Sequence, residues 1–412
     1  MKRFSLVSIQ MKSTLTIEVF GRVRKLQNKG LPQRTIVKEL ESRLRKDFTF
    51  DSGRIVGSMC TKPHRLGAKV YARFLEKNLG DIGLFPGVAE LEEETVRMIG
   101  TLLSNPQASG HIVTGGTEAN TLALWAAKKL CKKEKCEIVM PASAHCSFDK
   151  AADLLDLKTV RVGLDREFRV DVEAVRKVIN ANTIAVVGLA GTTGLGVVDP
   201  IPELSEVARE KGLYLHVDAA FGGFVLPFLK ELGFKISSFD FNEQGVCSIT
   251  VDPHKMGLAP IPAGGILFRN KEIRDAIAWN ISYLAGGESK QATLVGTRSG
   301  ASVIAVWALL KHLGREGYKR IVRRCMRLTL RLADEIPAIE GLDIMTRPSM
   351  NVVGLTSRTL DIRQVAQELR LKGWAVSLFP RHIRIVVMPH VHEQHVDEFL
   401  KDLKGVASKL RG

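Results

Sequence analysis

The sequence predicts an α/β fold in which a mostly parallel central sheet is flanked by helices, with a smaller α+β domain at the C-terminal end. Two features predict it. From residue 111, short apolar runs of strand length alternate with stretches of helical periodicity, and repeated strand–helix units assemble as parallel strands covered on both faces. After about residue 300 the alternation stops, and a long helical region is followed by short apolar runs and further helices. The expected boundaries are an N-terminal arm and helix over 1–55, a large domain over 56–300 and a small domain over 301–412.

Taken in order, residues 1–26 have no clear periodicity and read as a loose arm, with Met11 as an alternative start. Pro32 suits the first turn of a helix whose face carries Ile36, Val37, Leu40 and Leu44. Residues 53–110 mix glycine-containing turns with helical stretches such as 91–103. HIVTGG (111–116) is a strand running into a glycine turn, and TEANTLALWAAKKL (117–130) is a helix. Strands follow at EIVMPA (137–142), TVRVGL (159–164) and TIAVVGLAG (183–191), separated by helices at 147–156 and 172–180. After a helix at 201–212 come LYLHVDAA (213–220), SITVDP (248–253) and GGILF (264–268). The last part reads as a helix at 301–335, then LDIMT, NVVGL, a helix near 360–372, AVSLF, IRIVVMP and a final helix from about 392. In sheets of this kind ligands gather beyond the carboxyl ends of the strands.

Composition narrows the function. With 45% apolar and 25% charged residues the chain is neither disordered nor collagen-like. No stretch approaches the ~18 apolar residues of a membrane span, and the N-terminus makes a poor secretory signal, so a cytoplasmic protein is expected. Net charge is +16, of which +9 falls in residues 1–46. A second basic stripe, from Arg315 to Arg331, lies opposite Tyr318, Ile321, Val322, Cys325, Leu328 and Leu332 and reads as the solvated side of an amphipathic helix. Charge alone permits nucleic-acid binding, but no zinc-finger spacing or aromatic–basic motif accompanies it, which argues against that as the main function. The six cysteines are scattered without a CxxC pair and read as reduced, mostly buried thiols. The HVHEQH stretch (390–395) opens a helix, and without carboxylate or cysteine ligand spacing its histidines read as solvated rather than metal-binding, so no metal is expected.

Three segments carry chemistry. In TGGTEAN (114–120), Gly115 and Gly116 allow a tight turn and Thr117 can cap the following helix, whose free N–H groups suit a phosphate. In HVDAAFGG (216–223), Asp218 lies near the carboxyl end of an apolar strand, where a carboxylate is costly without a cationic partner. DPHKMG (252–257) puts His254 and Lys255 just after another strand. Each segment alone has a bland structural explanation. Together, a phosphate cradle, a strand-end Asp and a Lys 37 residues later are the parts of a pyridoxal phosphate enzyme. Lys255 would hold the aldehyde as a Schiff base, Asp218 would keep the pyridine nitrogen protonated, and the small Ala220 would let a ring pack closely.

The wording of GSMCTKPH (57–64), NLGDIGLFPG (78–87), TGGTEAN, AGTTGLGVVD (190–199), HVDAAFGGFVLPF (216–228), DPHKMG, GTRSG (296–300) and RIVVMPH (384–390) closely resembles the archaeal branch of the group II pyridoxal-phosphate amino-acid decarboxylases, the L-aspartate and L-tyrosine decarboxylases. The resemblance covers roughly residues 30–410, and Ile82 stands where relatives usually have proline. It implies the fold-type-I PLP-dependent transferase architecture, and a homodimer with active sites at the subunit interface. It also implies roles. Lys255 matches the Schiff-base lysine and Asp218 the partner of the pyridine nitrogen. His145, ending a strand at 138–145, matches the imidazole stacked on the ring. Gly116, Thr117 and His254 match phosphate-side positions, and Thr192 a cofactor-facing one. Tyr283, in NISYLAGGESKQ (280–291), matches the mobile-loop tyrosine that returns a proton; the plain alternative is a half-buried loop tyrosine. Arg384 resembles the arginine that receives the α-carboxylate, a task suited to a bidentate guanidinium, and Arg298 is a weaker candidate for nearby anion binding.

The implied reaction is decarboxylation of L-aspartate to β-alanine and CO₂, feeding coenzyme A synthesis. L-Tyrosine to tyramine is the alternative within the family, followed by L-glutamate. Another enzyme of the same fold, an aminotransferase or a carbon–sulfur lyase, is the alternative outside it, since these share the Lys and the Asp. A side-chain carboxylate needs a second cation, for which His64, Arg298 and Lys62 are the candidates.

Overall fold

A computed structural model describes residues 26 and 28–411; the arm expected over 1–26 lies outside them, Leu26 apart. The chain divides into a short unit up to Asp47 and a large one from Phe48. In the short unit, α1 (Gln33–Leu44) starts after Pro32 and carries Ile36, Val37, Leu40 and Leu44 exposed.

The large unit begins with α2 (Arg65–Arg73) and α3 (Pro86–Leu102). The chain then runs through β1 (Ser109–Val113), α4 (Gly116–Leu130), β2 (Glu137–Pro141), α5 (Ser147–Leu154), β3 (Lys158–Val162), α6 (Val172–Val178), β4 (Thr183–Leu189), α7 (Ile201–Lys211) and β5 (Tyr214–Asp218). After α8 (Leu226–Glu231) come β6 (Val246–Val251), β7 (Gly264–Phe268), α9 (Lys271–Asp275) and a hairpin of β8 (Trp279–Ile281) and β9 (Ser289–Gln291). Seven strands form one sheet in the order β1-β7-β6-β5-β4-β2-β3. The five from β6 to β3 are parallel, and β7 runs antiparallel to both β6 and β1.

Strand alternation divides the core in two. Ile138, Met140, Ala185, Val187, Ile266 and Phe268 face the α4 and α5 side, with Ala119, Leu122, Ala123, Phe148 and Ala151. Val139, Val186, Leu215, Val217, Ile249 and Leu267 face the other layer, with Val96, Ile99, Ile201, Leu204 and Val207. Burial on both faces explains why these strands are almost continuously apolar.

One long helix, α10 (Gly300–Glu335), leads into the smaller C-terminal part and is kinked at Gly314, whose φ of 55° is not helical. There β10 (Leu342–Ile344), β11 (Val352–Ser357), β12 (Ser377–Leu378) and β13 (Ile383–Val386) form an antiparallel sheet in the order β10-β11-β13-β12, with α11 (Ile362–Leu371) and α12 (Glu393–Arg411). No helix among the described residues is long and apolar enough to cross a membrane.

Several surface expectations are corrected. The α10 basic stripe is not simply solvated: Arg315 and Lys319 pair with Glu231 of α8, while Arg327 and Arg331 pair with Glu393 and Asp397 of α12. His390 and His395 are buried. His390 lies 2.8 Å from both the Thr61 hydroxyl and the Ile55 carbonyl, so local hydrogen bonds, not solvent, satisfy it. Of the six cysteines, only Cys136 and Cys325 are buried.

Candidate active site

The carboxyl ends of β4, β5 and β6 and the start of α4 open onto one cleft of about 430 Å³. Gly116, Thr117, His145, Thr192, Asp218, Ala220, His254 and Lys255 all line it. The structure thus brings together eight residues spread over 140 positions of sequence.

One wall is the β1–α4 turn. No side chain caps α4, whose N-cap is Gly115; Thr117 lies inside the first turn and does not cap the helix as expected. The unpaired N–H groups of that turn are therefore donors for an anion. A Cβ at Gly116 would approach Asp252 Oδ2 to 3.0 Å, and one at Gly115 would approach His254 Cε1 to 3.2 Å. Glu118 secures the turn by accepting from both the Thr114 N–H (2.8 Å) and its hydroxyl (2.7 Å).

The opposite wall follows β6. Lys255 Nζ lies 3.1 Å from Asp252 Oδ2, and His254 Nε2 lies 3.6 Å from the same oxygen. Asp252 is 2% exposed and its Oδ1 has no hydrogen-bond partner. The Ala263 N–H donates to His254 Nδ1, so the neutral ring carries its proton on Nε2, toward the carboxylate. Burial pushes the His254 pKa down, against the pull of Asp252.

Between them stands Asp218, last residue of β5. Its Oδ1 accepts from the Ala220 N–H (3.0 Å) and its Oδ2 from Asn120 Nδ2 (3.0 Å). His145 differs from expectation: β2 ends at Pro141, and His145 sits in the following turn, where its Nδ1 accepts from the Ser147 N–H at the start of α5. Loss of solvent lowers the His145 pKa, although Asp218 acts to raise it. Thr192 Oγ1 accepts from the Val197 N–H, leaving its proton free to donate.

Three predicted residues do not line this cleft. Arg384 lies behind it: Nη1 donates to the carbonyl of Thr193, a lining residue, and Nη2 to Gly57 O and Ser377 Oγ. Its Nε is buried without a partner, and burial lowers its pKa. Arg298 already has an anion: it forms two hydrogen bonds to Glu92 (2.5 and 3.0 Å) and donates to Ile112 O. Burial would raise the Glu92 pKa, but Arg298 and His111 outweigh it and hold the carboxyl well below its ordinary range. Tyr283 follows β8, outside the cleft and 84% exposed. Of the side-chain candidates, Lys62 pairs with Asp51, and His64 caps α2.

Sequence reading missed Asn120, His216 and Asp252. Asn120 lies one helical turn after Gly116, and His216 shares a strand face with Asp218, so α4 and β5 periodicity carried a signal.

A family model described as the pyridoxal-dependent decarboxylase conserved domain matches residues 64–357. The chain belongs to the pyridoxal-dependent decarboxylase family. The L-aspartate/L-glutamate decarboxylase of Pyrococcus horikoshii is 53% identical over 92% of this chain and 98% of its own. The probable L-tyrosine/L-aspartate decarboxylase of Methanothermobacter thermautotrophicus is 52% identical over 87% and 99%. Among solved structures, the sphingosine-1-phosphate lyase of Burkholderia pseudomallei superposes with a TM-score of 0.89 at 31% identity, covering 95% of this chain and 94% of that one. The fold is accordingly fold type I, and the protein is a pyridoxal-phosphate-dependent amino-acid decarboxylase. The cleft fits that cofactor on its own evidence: an uncapped helix start, a glycine turn where a Cβ would crowd Asp252 and His254, a primary amine and a strand-end carboxylate.

Proposed function

We propose that this decarboxylase converts L-aspartate to β-alanine and CO₂, a route to a coenzyme A precursor. The observation that carries the reading is the convergence of Lys255, Asp218 and the α4 start on one cleft. Aspartate is the one amino acid common to both relatives' names.

In this reading Gly116, Thr117 and His254 would hold the phosphate, Lys255 would hold the aldehyde carbon, and Ala220 and His145 would pack against the ring. Bound pyridoxal phosphate supplies an aldehyde that captures the substrate amine and a ring that accepts the electron pair left by CO₂. Asp218 would hold the proton on the ring nitrogen, and Thr192 would present its hydroxyl to the cofactor. Arg384, a half-buried guanidinium without a carboxylate partner among the described residues, would turn from the Thr193 and Gly57 carbonyls to receive the substrate α-carboxylate. Tyr283 would return a proton to the carbon that lost CO₂, and Lys255 would supply the amine that anchors the cofactor between turnovers.

We further propose a homodimer with the cleft at the interface. Tyr283, Trp279 and Leu294 are all exposed around the hairpin, an apolar rim suited to a second copy. Free cysteines throughout fit a reducing cytoplasm.

Next to the cleft is an annex of about 510 Å³ that shares Ser143, His145, Thr192 and Thr193 with it and includes Phe379, Arg381 and His382. Arg381 supplies a charge there for a side-chain carboxylate. A second reading, L-tyrosine, draws on the same annex, where Phe379 and His382 stack at 4.8 Å and would flank an aromatic ring. Purified holoenzyme given each of the twenty amino acids, with amine products identified by mass, decides between them. β-Alanine as the main product is expected; tyramine or the glutamate-derived amine in its place overturns the substrate assignment.

A further inference from the structure

From Asn120 at the cleft wall, back behind Asp218, the sheet and α4 enclose a run of polar side chains that the reaction as described does not use. Asn120, His216, Ser248 and Thr250 are all essentially inaccessible to solvent. Asn120 Nδ2 donates to Asp218 Oδ2 (3.0 Å) and to Ser147 Oγ (2.9 Å). Asn120 Oδ1 receives Thr250 Oγ1–H (2.6 Å) and lies 3.0 Å from His216 Nε2. His216 Nδ1 lies 2.8 Å from Ser248 Oγ.

The chemistry of these groups sets the direction of each bond. The carboxylate only accepts, so the Asn120 amide must turn its NH₂ toward Asp218 and its oxygen away. That oxygen needs donors, so His216 carries its proton on Nε2. Burial pushes the His216 pKa down to about 4, so the ring is neutral near pH 7 and Nδ1 accepts from Ser248. The donors of Ser248, His216 and Asn120 thus run in series toward Asp218, with a second Asn120 N–H going to Ser147. Buried polar groups of this kind are costly unless each is satisfied, and a satisfied set fixes one geometry.

We infer that Asn120 and His216 are positioning residues that aim the Asp218 carboxylate into the cleft, an inference that rests on Asp218 being the partner of the ring nitrogen. In this role they act through Asp218: with Oδ2 held by Asn120 and Oδ1 by the Ala220 N–H, the direction of the carboxylate is fixed. Thr250 backs up His216 at the same Asn120 oxygen, so its loss matters less.

The test uses reconstituted holoenzyme and reads the absorption spectrum of bound cofactor across pH together with kcat and KM. Asn120→Ala should lower kcat about 10²-fold with KM within about 3-fold, and should displace the pH midpoint of the cofactor absorption. His216→Phe, which removes the donor but keeps a ring, should cost about 10-fold, and His216→Gln, whose amide can donate to Asn120, should recover most of it. Thr250→Val should stay within about 3-fold. Wild-type spectra and kcat in both Asn120→Ala and His216→Phe overturn the inference. If Asn120→Ala does not fold, equal spectra and kcat for His216→Phe and His216→Gln overturn it instead. Asp218→Asn separates the two levels: an unaltered spectrum there rejects the role of Asp218 itself, whereas an altered one beside wild-type-like Asn120 and His216 variants rejects only the ladder.

Discussion

On the inner wall of the cleft, Lys255, Asp218 and Thr117 follow strand ends or open a helix, and their backbones are held by the sheet. On the rim, Tyr283 belongs to a two-stranded hairpin separate from that sheet, with most of its side chain in solvent. The two arginines show the same contrast. Arg298 is enclosed with Glu92, while Arg384 spends its donors on backbone carbonyls and has no carboxylate of its own among the described residues. The difference separates groups whose partners lie within this chain from groups that, in the proposed reading, would be completed by a substrate or a second chain.

The sharpest break in that contrast comes from Lys255→Ala. It should lower decarboxylation by at least about 10³-fold, and borohydride reduction followed by mass measurement should find no attached cofactor. One equivalent still covalently held would remove Lys255 from the inner wall's chemistry. The arginine pair comes next. Arg298→Met should destabilise the fold by about 3–5 kcal/mol in denaturant unfolding, because Glu92 is left buried and unpaired. The sign with pH follows: a carboxyl with a depressed folded pKa stabilises fully above its ordinary 4.5 and loses that contribution as pH falls. Arg384→Lys should instead raise KM about 10-fold with stability changed by under about 1 kcal/mol. The reverse pattern would exchange their roles. The mildest is Tyr283→Phe, expected to slow turnover about 10²-fold at most, with cofactor binding intact and misplaced protonation visible as side product. Unchanged kcat and clean product would leave Tyr283 a surface tyrosine.

The inner wall was legible because its signals are local. A glycine turn after an apolar run, a carboxylate ending a strand and a lysine just past another each sit where the backbone pattern says ligands bind. The strand alternation was equally readable, since parallel strands must be apolar on both faces. Arg298 and Arg384 are not separable by sequence, because what distinguishes them is partners distant in the chain: Glu92 for one, the Thr193 and Gly57 carbonyls for the other. The α10 stripe misled for the same reason, its counter-charges lying on α8 and α12. Asp252 carries no such local signal: its burial and its unpartnered Oδ1 are set by the fold around it.

Strand β7 has a mechanical consequence. Gly264 lies opposite Val113, the last residue of β1, and its neighbour Gly265 lies opposite Val251, the last residue of β6. A methyl at Gly264 would come within 2.3 Å of Gly115 Cα. One antiparallel segment therefore splints the turn before α4 to the loop that bears Lys255, and the spacing between anion cradle and amine is gauged by two adjacent glycines. Slippage by one residue would throw both off together, so these two halves cannot drift apart independently during the enzyme's working life.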